Sequence, residues 1–385
     1  MNQQRVFLKK NGMRKSILLL WALCIMLPLF AQQVKGKIDI PDLAGYVTLK
    51  CDFHMHTVFS DGTVWPTVRV DEAYYEGLDA ISITDHVEGR KYLKKIEKLS
   101  DISFKSLSHN IAYELALTRA KEKGIILIRG SEITRSMPPG HHNAIFLTNA
   151  DELSQPDYMD AFRAAKAQNA FIFWNHPNWE KQQPDVTRWF DEHTKLLEQG
   201  MMHGIKVVNT GYSPEAHRWC LEKKLTMLGN SDVHGPMPHF APGKHRTMTL
   251  VFARNKTPEA IYEALKERRT AVYYEEFIIG EETYLKELFE KAVEIKVKKT
   301  DDKTVQITFK NKSDLTFHLK KTDHDPRLTY FRKMSIVPYT ITPQSVQSIT
   351  VRLNDGIKGG DVNFSVENFL VEPDKGMNYT VKINN

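Results

Sequence analysis

The chain has 385 residues, 41% of them apolar and 26% charged, the composition of an ordinary globular protein with room for one large domain and a smaller one. Its formal charge is +6, but Arg5, Lys9, Lys10, Arg14 and Lys15 lie in the first 31 residues, where no Asp or Glu occurs, and the remainder carries +1. The high pI therefore belongs to the first segment and does not argue for nucleic-acid binding, and no specific nucleic-acid partner is expected.

The first segment reads as a secretory signal over residues 1–31: the five cations, then the apolar run Ile17–Phe30, then Ala31-Gln32-Gln33. Leu29 makes the cleavage box imperfect, and Cys24 lies inside the apolar run. That run, about 14 residues, is shorter than the roughly 20 that span a bilayer. The expectation is therefore export to the periplasm or beyond, with no transmembrane anchor once the signal is removed. Cys51 and Cys220 remain, both in apolar contexts that favour core packing, with a disulfide allowed but not implied.

Residues 32–274 read as one domain, in which strand-like and helix-like stretches alternate from residue 46 onward. Strand character marks Tyr46–Phe53, Asp79–Thr84, Gly124–Gly130, Ala170–Trp174 and Thr226–Gly229. Helical periodicity marks Thr67–Glu76, Ser108–Lys123, Tyr158–Gln168, Ser213–Lys224 and Thr257–Arg269, with Pro66, Pro214 and Pro258 near three of the starts. This is an α/β pattern with a parallel sheet, and about seven such units can close into a barrel. Residues 275–296 read as a connector in which Glu282–Lys296 is one amphipathic helix. From 297 to 385 the period becomes two, as in Val305-Gln-Ile-Thr-Phe and Ser348-Ile-Thr-Val-Arg-Leu, with turns such as Asn354-Asp-Gly between runs. A small all-β sandwich-like domain of about 90 residues follows from that pattern.

The chemistry gathers at the downstream ends of the first set of strands: His54-Met55-His56, Asp61, Asp85-His86, Glu132, His141-His142, Asn175-His176 and Asp232-Val233-His234. His54 and His56, two apart on a strand end, project to one side. Imidazoles and carboxylates converging in that number make a site for two or three divalent cations. Ligands at the C-terminal ends of barrel strands are what an enzyme of that architecture presents.

The ordered set Asp52-Phe-His-Met-His-Thr-Val-Phe-Ser-Asp-Gly, Ile83-Thr-Asp-His86, Gly130-Ser-Glu132, Gly140-His141, Asn175-His176-Pro177 and Asn230-Ser-Asp-Val-His234 resembles the PHP (polymerase and histidinol phosphatase) superfamily over residues 50–274. The resemblance implies a distorted (β/α)7 barrel, a two- or three-metal site and, mostly, phosphoester hydrolysis. Carried over residue by residue, it implies a first ion on His54, His56, Glu132 and Asp232, a second on Glu132, His141 and His176, and a third on Asp61, His86 and His234. His141 is preferred to His142 because the family's ligand directly follows a glycine. Asp61 stands where many relatives have His, which favours a harder cation such as manganese over zinc; iron is a further option.

Cations of this kind supply metal-bound hydroxide for in-line attack on a phosphoester and neutralise the phosphoryl oxygens. No serine or cysteine sits in an activating elbow. His176 or His234 is expected to protonate the leaving oxygen, Asp85 to orient a ligand from behind, and Arg135 to reach a phosphate oxygen, with Asn175 and Arg246 weaker candidates. His239 and His245 lie near an entrance loop, and Trp179 and Trp189 are pocket candidates for which packing is the better reading. The expected substrate is a small phosphate ester, with diesters favoured because few cations are available to grip a terminal phosphate. The rival readings are a carbamate or other ester hydrolase using the same ions, and a noncatalytic metal-stabilised envelope binding protein.

Overall fold

In the computed structural model the described residues are 34–90, 107–238, 240, 243–322, 325–330 and 338–383. The expected signal segment and His239 lie outside them. Lys37–Asn385 forms one compact unit.

The first part alternates strands and helices: β1 (Val47–Asp52), α1 (Pro66–Tyr75), β2 (Ala80–Ile83), α2 (Ile111–Lys123), β3 (Ile126–Ile133), β4 (His142–Ile145), α3 (Tyr158–Ala167), β5 (Phe171–Trp174), α4 (Asp191–Glu198), β6 (Gly204–Val208), α5 (Pro214–Lys223), β7 (Thr226–Gly229), β8 (Met248–Ala253), α6 (Pro258–Lys266) and β9 (Thr270–Tyr274). Pro66, Pro214 and Pro258 open their helices, where the missing amide donor is not needed. Ser213 and Thr257 cap α5 and α6 by accepting from the amides of Ala216 and Ala260.

The sheet is mixed rather than wholly parallel. β1, β2 and β3 run parallel, as do β5, β6 and β7, but β4 is antiparallel to both β3 and β5, and β8 is antiparallel to β1 and β9. β4 begins at His142, directly after the candidate ligand His141. β7 is tied to β8 and β9 by threonine side chains rather than by a ladder. Thr249 Oγ1 bonds Gly229 N at 3.1 Å and Gly229 O at 2.9 Å, and Thr270 Oγ1 donates to Met227 O at 2.9 Å. Gly229 permits that approach, since a Cβ there would lie 2.2 Å from Val272 Cγ1.

Side-chain alternation sorts the cores. Phe171 and Phe173 join Leu49, Cys51, Phe53, Ile128, Leu228 and Val251 in one cluster, whereas Ile172 and Trp174 join Phe162, Leu196, Ile205 and Ala216 in another. Cys51 and Cys220 are buried free thiols in different clusters.

The expected connecting helix is a correction. Residues 275–296 contain strand β10 (Phe277–Gly280), then α7 (Glu282–Ala292), and β11 (Val293–Asp301) begins where the helix was expected to continue. Val293, Ile295 and Val297 are β-branched at period two, which favours a strand over another helical turn. β12 (Thr304–Asn311), β13 (Phe317–Lys321), β14 (Leu328–Tyr330), β15 (Tyr339–Ile341), β16 (Val346–Leu353), β17 (Gly360–Glu372) and β18 (Lys375–Ile383) complete the C-terminal part. Four of them form the sheet β11-β12-β16-β14. β17 pairs in parallel with β10, so the other C-terminal strands extend the N-terminal sheet.

Candidate metal centre

The strand ends bring together all nine side chains singled out as ligands. Three groups of donor atoms form, each within 4.8 Å: His54, His56 and Asp232; Glu132, His141 and His176; and Asp61, His86 and His234 with His56.

In the first group, His54 Nε2 lies 3.0 Å from His56 Nε2, 3.2 Å from Glu132 Oε2 and 3.1 Å from Asp232 Oδ1. His56 Nε2 lies 3.3 Å from Glu132 Oε2 and 3.1 Å from Asp232 Oδ1. Donor atoms bound at about 2.0–2.1 Å stand roughly 3.0 Å apart around an octahedral ion and roughly 3.4 Å apart around a tetrahedral one. The observed spacings fall in that window, so the residues present fit a divalent cation.

Glu132 is common to all of it. Its Oε2 also lies 3.1 Å from His86 Nδ1, and its Oε1 lies 2.8 Å from His141 Nδ1 and 3.8 Å from His176 Nε2. The His141 contact is short yet lacks hydrogen-bond geometry, so that buried nitrogen has no hydrogen-bond partner, as is true of Asp61 Oδ1 and His176 Nδ1. Buried polar atoms without partners are a cost unless something else satisfies them, and a bound cation would do so for His141 Nδ1 and Asp61 Oδ1. Asp61 Oδ1 is 3.2 Å from His234 Nε2 and 3.4 Å from His86 Nε2. His142 points the other way, stacked on Trp174 and edge-on to Phe162 in the core.

The backing contacts fix these rings. His234 Nδ1 bonds the carbonyl of Asp232 at 2.8 Å, and His86 Nδ1 bonds Thr134 Oγ1 at 2.6 Å, leaving each Nε2 for the site. Asp85 accepts from Thr57 N at 2.7 Å, Thr57 Oγ1 at 2.5 Å and Ser60 Oγ at 2.5 Å, and Ser60 Oγ stands 3.4 Å from His56 Nδ1. Asp85 thus acts on His56 through a serine. Gly62 lets the Asp61 loop fold onto the strand end, since a Cβ there would come within 2.5 Å of the His56 carbonyl carbon. Asp232 has a left-handed backbone, φ 56°, unusual for a non-glycine residue and a mark of stored strain. Its neighbour Ser231 is pinned to Asp52 through its amide and hydroxyl, at 3.1 and 2.5 Å, and Arg246 Nη1 holds Asp52 at 3.0 Å.

Two expected phosphate cations have other work. Arg135 donates to the carbonyls of Pro156 and Gln155 and pairs with Glu88 at 2.9 Å. Arg246 is buried between Asp52 and Glu76. Asn175 Nδ2 donates to Glu132 Oε1 at 3.2 Å and orients the bridging carboxylate. His245 bonds the carbonyls of Arg246 and Glu275.

Sequence reasoning missed Lys206, a fully enclosed lysine whose Nζ is 3.0 Å from His54 Nδ1 and 3.9 Å from Asp232 Oδ2. A single cation inside the apolar strand Gly204–Val208 was the available signal. Arg69 was missed too: buried on α1, it donates to the carbonyls of His56, Gly235 and Val233 and so ties two ligand loops together.

The electrostatics are those of a tightly coupled cluster. Burial opposes a charge on His56 and His86, but the carboxylates outweigh it: Asp232 and Glu132 push His56 up to about 9, and Glu132 and Asp61 push His86 up to about 11. Burial dominates at His54 and His176, which are drawn down to about 3 and about 4. Against their own burial, Glu132 and Asp232 are held well below the usual carboxylate range by the surrounding histidines and, for Asp232, Lys206.

A solved structure from Bacteroides vulgatus, described as a two-domain protein containing a predicted PHP-like metal-dependent phosphoesterase, is 51% identical over 91% of this chain and 99% of that one, with a TM-score of 0.85. The chain belongs to the PHP-like metal-dependent phosphoesterases. A family model described as an Ig-like domain matches residues 290–382 of this PHP-like protein, so the fold is α/β with a C-terminal Ig-like domain. An uncharacterized protein of Methanocaldococcus jannaschii is 46% identical over 50 residues, 13% of this chain and 23% of that protein; the match spans about a quarter of that relative. No helix among the described residues is long and apolar enough to cross a membrane.

Proposed function

We propose that this metal-dependent phosphoesterase is an exported phosphodiesterase that hydrolyses small phosphate esters, at the mouth of a distorted (β/α)7 barrel formed by the curled N-terminal sheet. The observation that carries the hydrolase reading is the gathering of His54, His56, Glu132 and Asp232 donor atoms at 3.0–3.3 Å. His54, His56, Glu132 and Asp232 would hold one ion, Glu132, His141 and His176 a second, and Asp61, His86 and His234 a third, with manganese or zinc suited to the mixed nitrogen and oxygen donors. When bound, such ions supply Lewis acidity toward a phosphoryl oxygen and a nucleophile from water at neutral pH.

The chain's own residues supply the rest. Glu132 touches all three groups and keeps them in register, and Asn175 fixes its orientation. His176, drawn down to about 4 by burial, stays neutral and is a ligand rather than an acid. His234 is the most open of the six candidate ligand histidines, with 40% of its side chain exposed and Asp61 3.2 Å from Nε2. Its Nε2 holds a proton or an ion, not both. In a two-ion enzyme it protonates the leaving oxygen, and in a three-ion enzyme it is a ligand.

The diester preference rests on Arg135 and Arg246. Arg135 is committed to two carbonyls and Glu88, and Arg246 to Asp52 and Glu76, so neither offers a fork for the extra charge of a monoester. Assay of the metal-loaded protein on bis-p-nitrophenyl phosphate, p-nitrophenyl phosphate and a naphthyl carbamate tests this: the diester should turn over fastest, and activity on the carbamate alone would overturn the reading. Export is tested by the mass of the mature N-terminus, expected to start near Gln32.

A further inference from the structure

Trp179 follows the ligand His176 by three residues and stands beside the second group of donors. Its ring centroid lies 5.0 Å from that of His176 and 5.5 Å from that of His141, edge-to-face with both. It is one of the few large apolar side chains left open, at 36% exposure. Trp189, ten residues on, is instead packed against Trp174, His193 and Trp219. Only one of the two indoles is kept out of the core, and it is the one against the metal ligands.

The segment that presents Trp179 is fixed in place. Trp179 N donates to His176 O at 3.0 Å, and the amides of Gln182 and Gln183 both donate to Trp179 O at 2.9 Å. The Gln182 side chain donates to Arg135 O at 2.9 Å and that of Gln183 to Pro177 O at 2.7 Å. From the other side, Gly140 packs so closely that a Cβ would come within 2.5 Å of Met137 Cε and 3.2 Å of Gln182 Oε1. Arg135, offered from sequence as a phosphate ligand, therefore serves this wall through its carbonyl. Lys181 Nζ lies over one face of the Trp179 ring, 5.6 Å from its centroid.

We propose that Trp179 is a stacking platform for a planar ring carried by one of the ester groups of the substrate, so that the preferred substrate is an aryl or nucleoside phosphodiester. This rests on the phosphoesterase reading and narrows it. Ions grip the charged phosphoryl group but offer nothing to a neutral ring. An indole whose ring centroid lies 5.0 and 5.5 Å from those of His176 and His141 is within reach of a ring ester-linked to a phosphoryl group bound between those residues. Stacking needs only a π-face, so the platform selects for planarity and not for a particular base.

The test uses the full-length, metal-loaded protein with Trp179→Ala and Trp179→Phe. Turnover is measured on bis-p-nitrophenyl phosphate and on glycerophosphoethanolamine, which has no ring, and metal content is measured alongside. Binding of phenylphosphonate against methylphosphonate is read by calorimetry. Trp179→Ala should lower the ring-over-alkyl ratio of kcat/KM by about tenfold or more, chiefly through KM, with metal content retained. The phenylphosphonate preference should fall with it, and Trp179→Phe should restore most of both. Equal losses on both esters, or loss of metal, would make Trp179 structural and overturn the proposal. If the loaded wild type turns over neither ester, the phosphoesterase reading falls, and the phosphonate comparison still decides whether Trp179 is a ring platform.

Discussion

Lys206 Nζ lies 3.0 Å from Nδ1 of His54 and 3.9 Å from Oδ2 of Asp232, with almost no exposure to solvent. A histidine that binds an ion through Nε2 carries its proton on Nδ1 and needs an acceptor there, and an ammonium is not one. Burial already lowers the Lys206 pKa, so ion loading should drive a proton out of this pair. His56 and His86, pushed up to about 9 and about 11 in the metal-free protein, must also give up protons to become ligands. Calorimetric titration with manganese near pH 7.5, in buffers of different ionisation enthalpy, should therefore report net proton release. Lys206→Met should release about one proton fewer. A binding enthalpy independent of buffer contradicts this.

The same groups set an alkaline limit for the metal-free protein. His56 and His86 have folded pKa values above their ordinary 6.5, so their pairing with carboxylates stabilises fully below about pH 6.5 and is lost as pH rises through about 9 and then about 11. His54 and His176, lowered to about 3 and about 4, act in the opposite sense, and only below pH 6.5. Thermal melts in chelator should show Tm falling from about pH 7 to pH 10, and saturating metal should flatten the fall. A metal-free Tm that rises over that range sinks the assignment.

Glu132→Gln removes a fully buried carboxylate that touches all three groups. Second-layer partners of metal ligands are worth about 10- to 100-fold in affinity or activity, and a bridging ligand should exceed that. We expect kcat/KM on the diester to fall at least about 100-fold and the ion content to drop by one or more per chain, measured by elemental analysis. Full ion content with normal turnover would show that Glu132 does not bridge.

Asp85 accepts three hydrogen bonds in a buried place. Asp85→Ala leaves those donors unpaired at about 1–3 kcal/mol each, so a loss of about 3 kcal/mol or more is expected in urea melts, with weaker metal binding through His56. Asp85→Asn keeps an acceptor oxygen and should cost less than half as much. Equal losses for the two variants would mean that Asp85 merely fills space.

How much of this could be read before folding follows from the chemistry of each residue. Most of the converging donors were legible because they end a strand or open the following loop, where alternation and short reach confine a side chain to one mouth; His141 instead precedes the antiparallel β4. Lys206 was not, because a single lysine in an apolar strand carries no spacing to argue from; only the fold brings it to His54. Arg135 was misjudged because closeness in sequence to Glu132 says nothing of where a long guanidinium finds acceptors, and it finds them 20 and 21 residues away at Gln155 and Pro156. Val293–Lys296 was read as helix because one apolar face fits either period over so short a span. The pairing of β10 with β17 was invisible, since it joins residues far apart in the chain.

Elemental analysis of protein purified without chelator, paired with bis-p-nitrophenyl phosphate turnover before and after metal removal, tests the central claim most directly. Two or three divalent ions per chain are expected, with turnover lost on chelation and restored by manganese or zinc. Protein that holds no ion when metal is supplied, or whose turnover ignores the chelator, would contradict a metal-centred hydrolase.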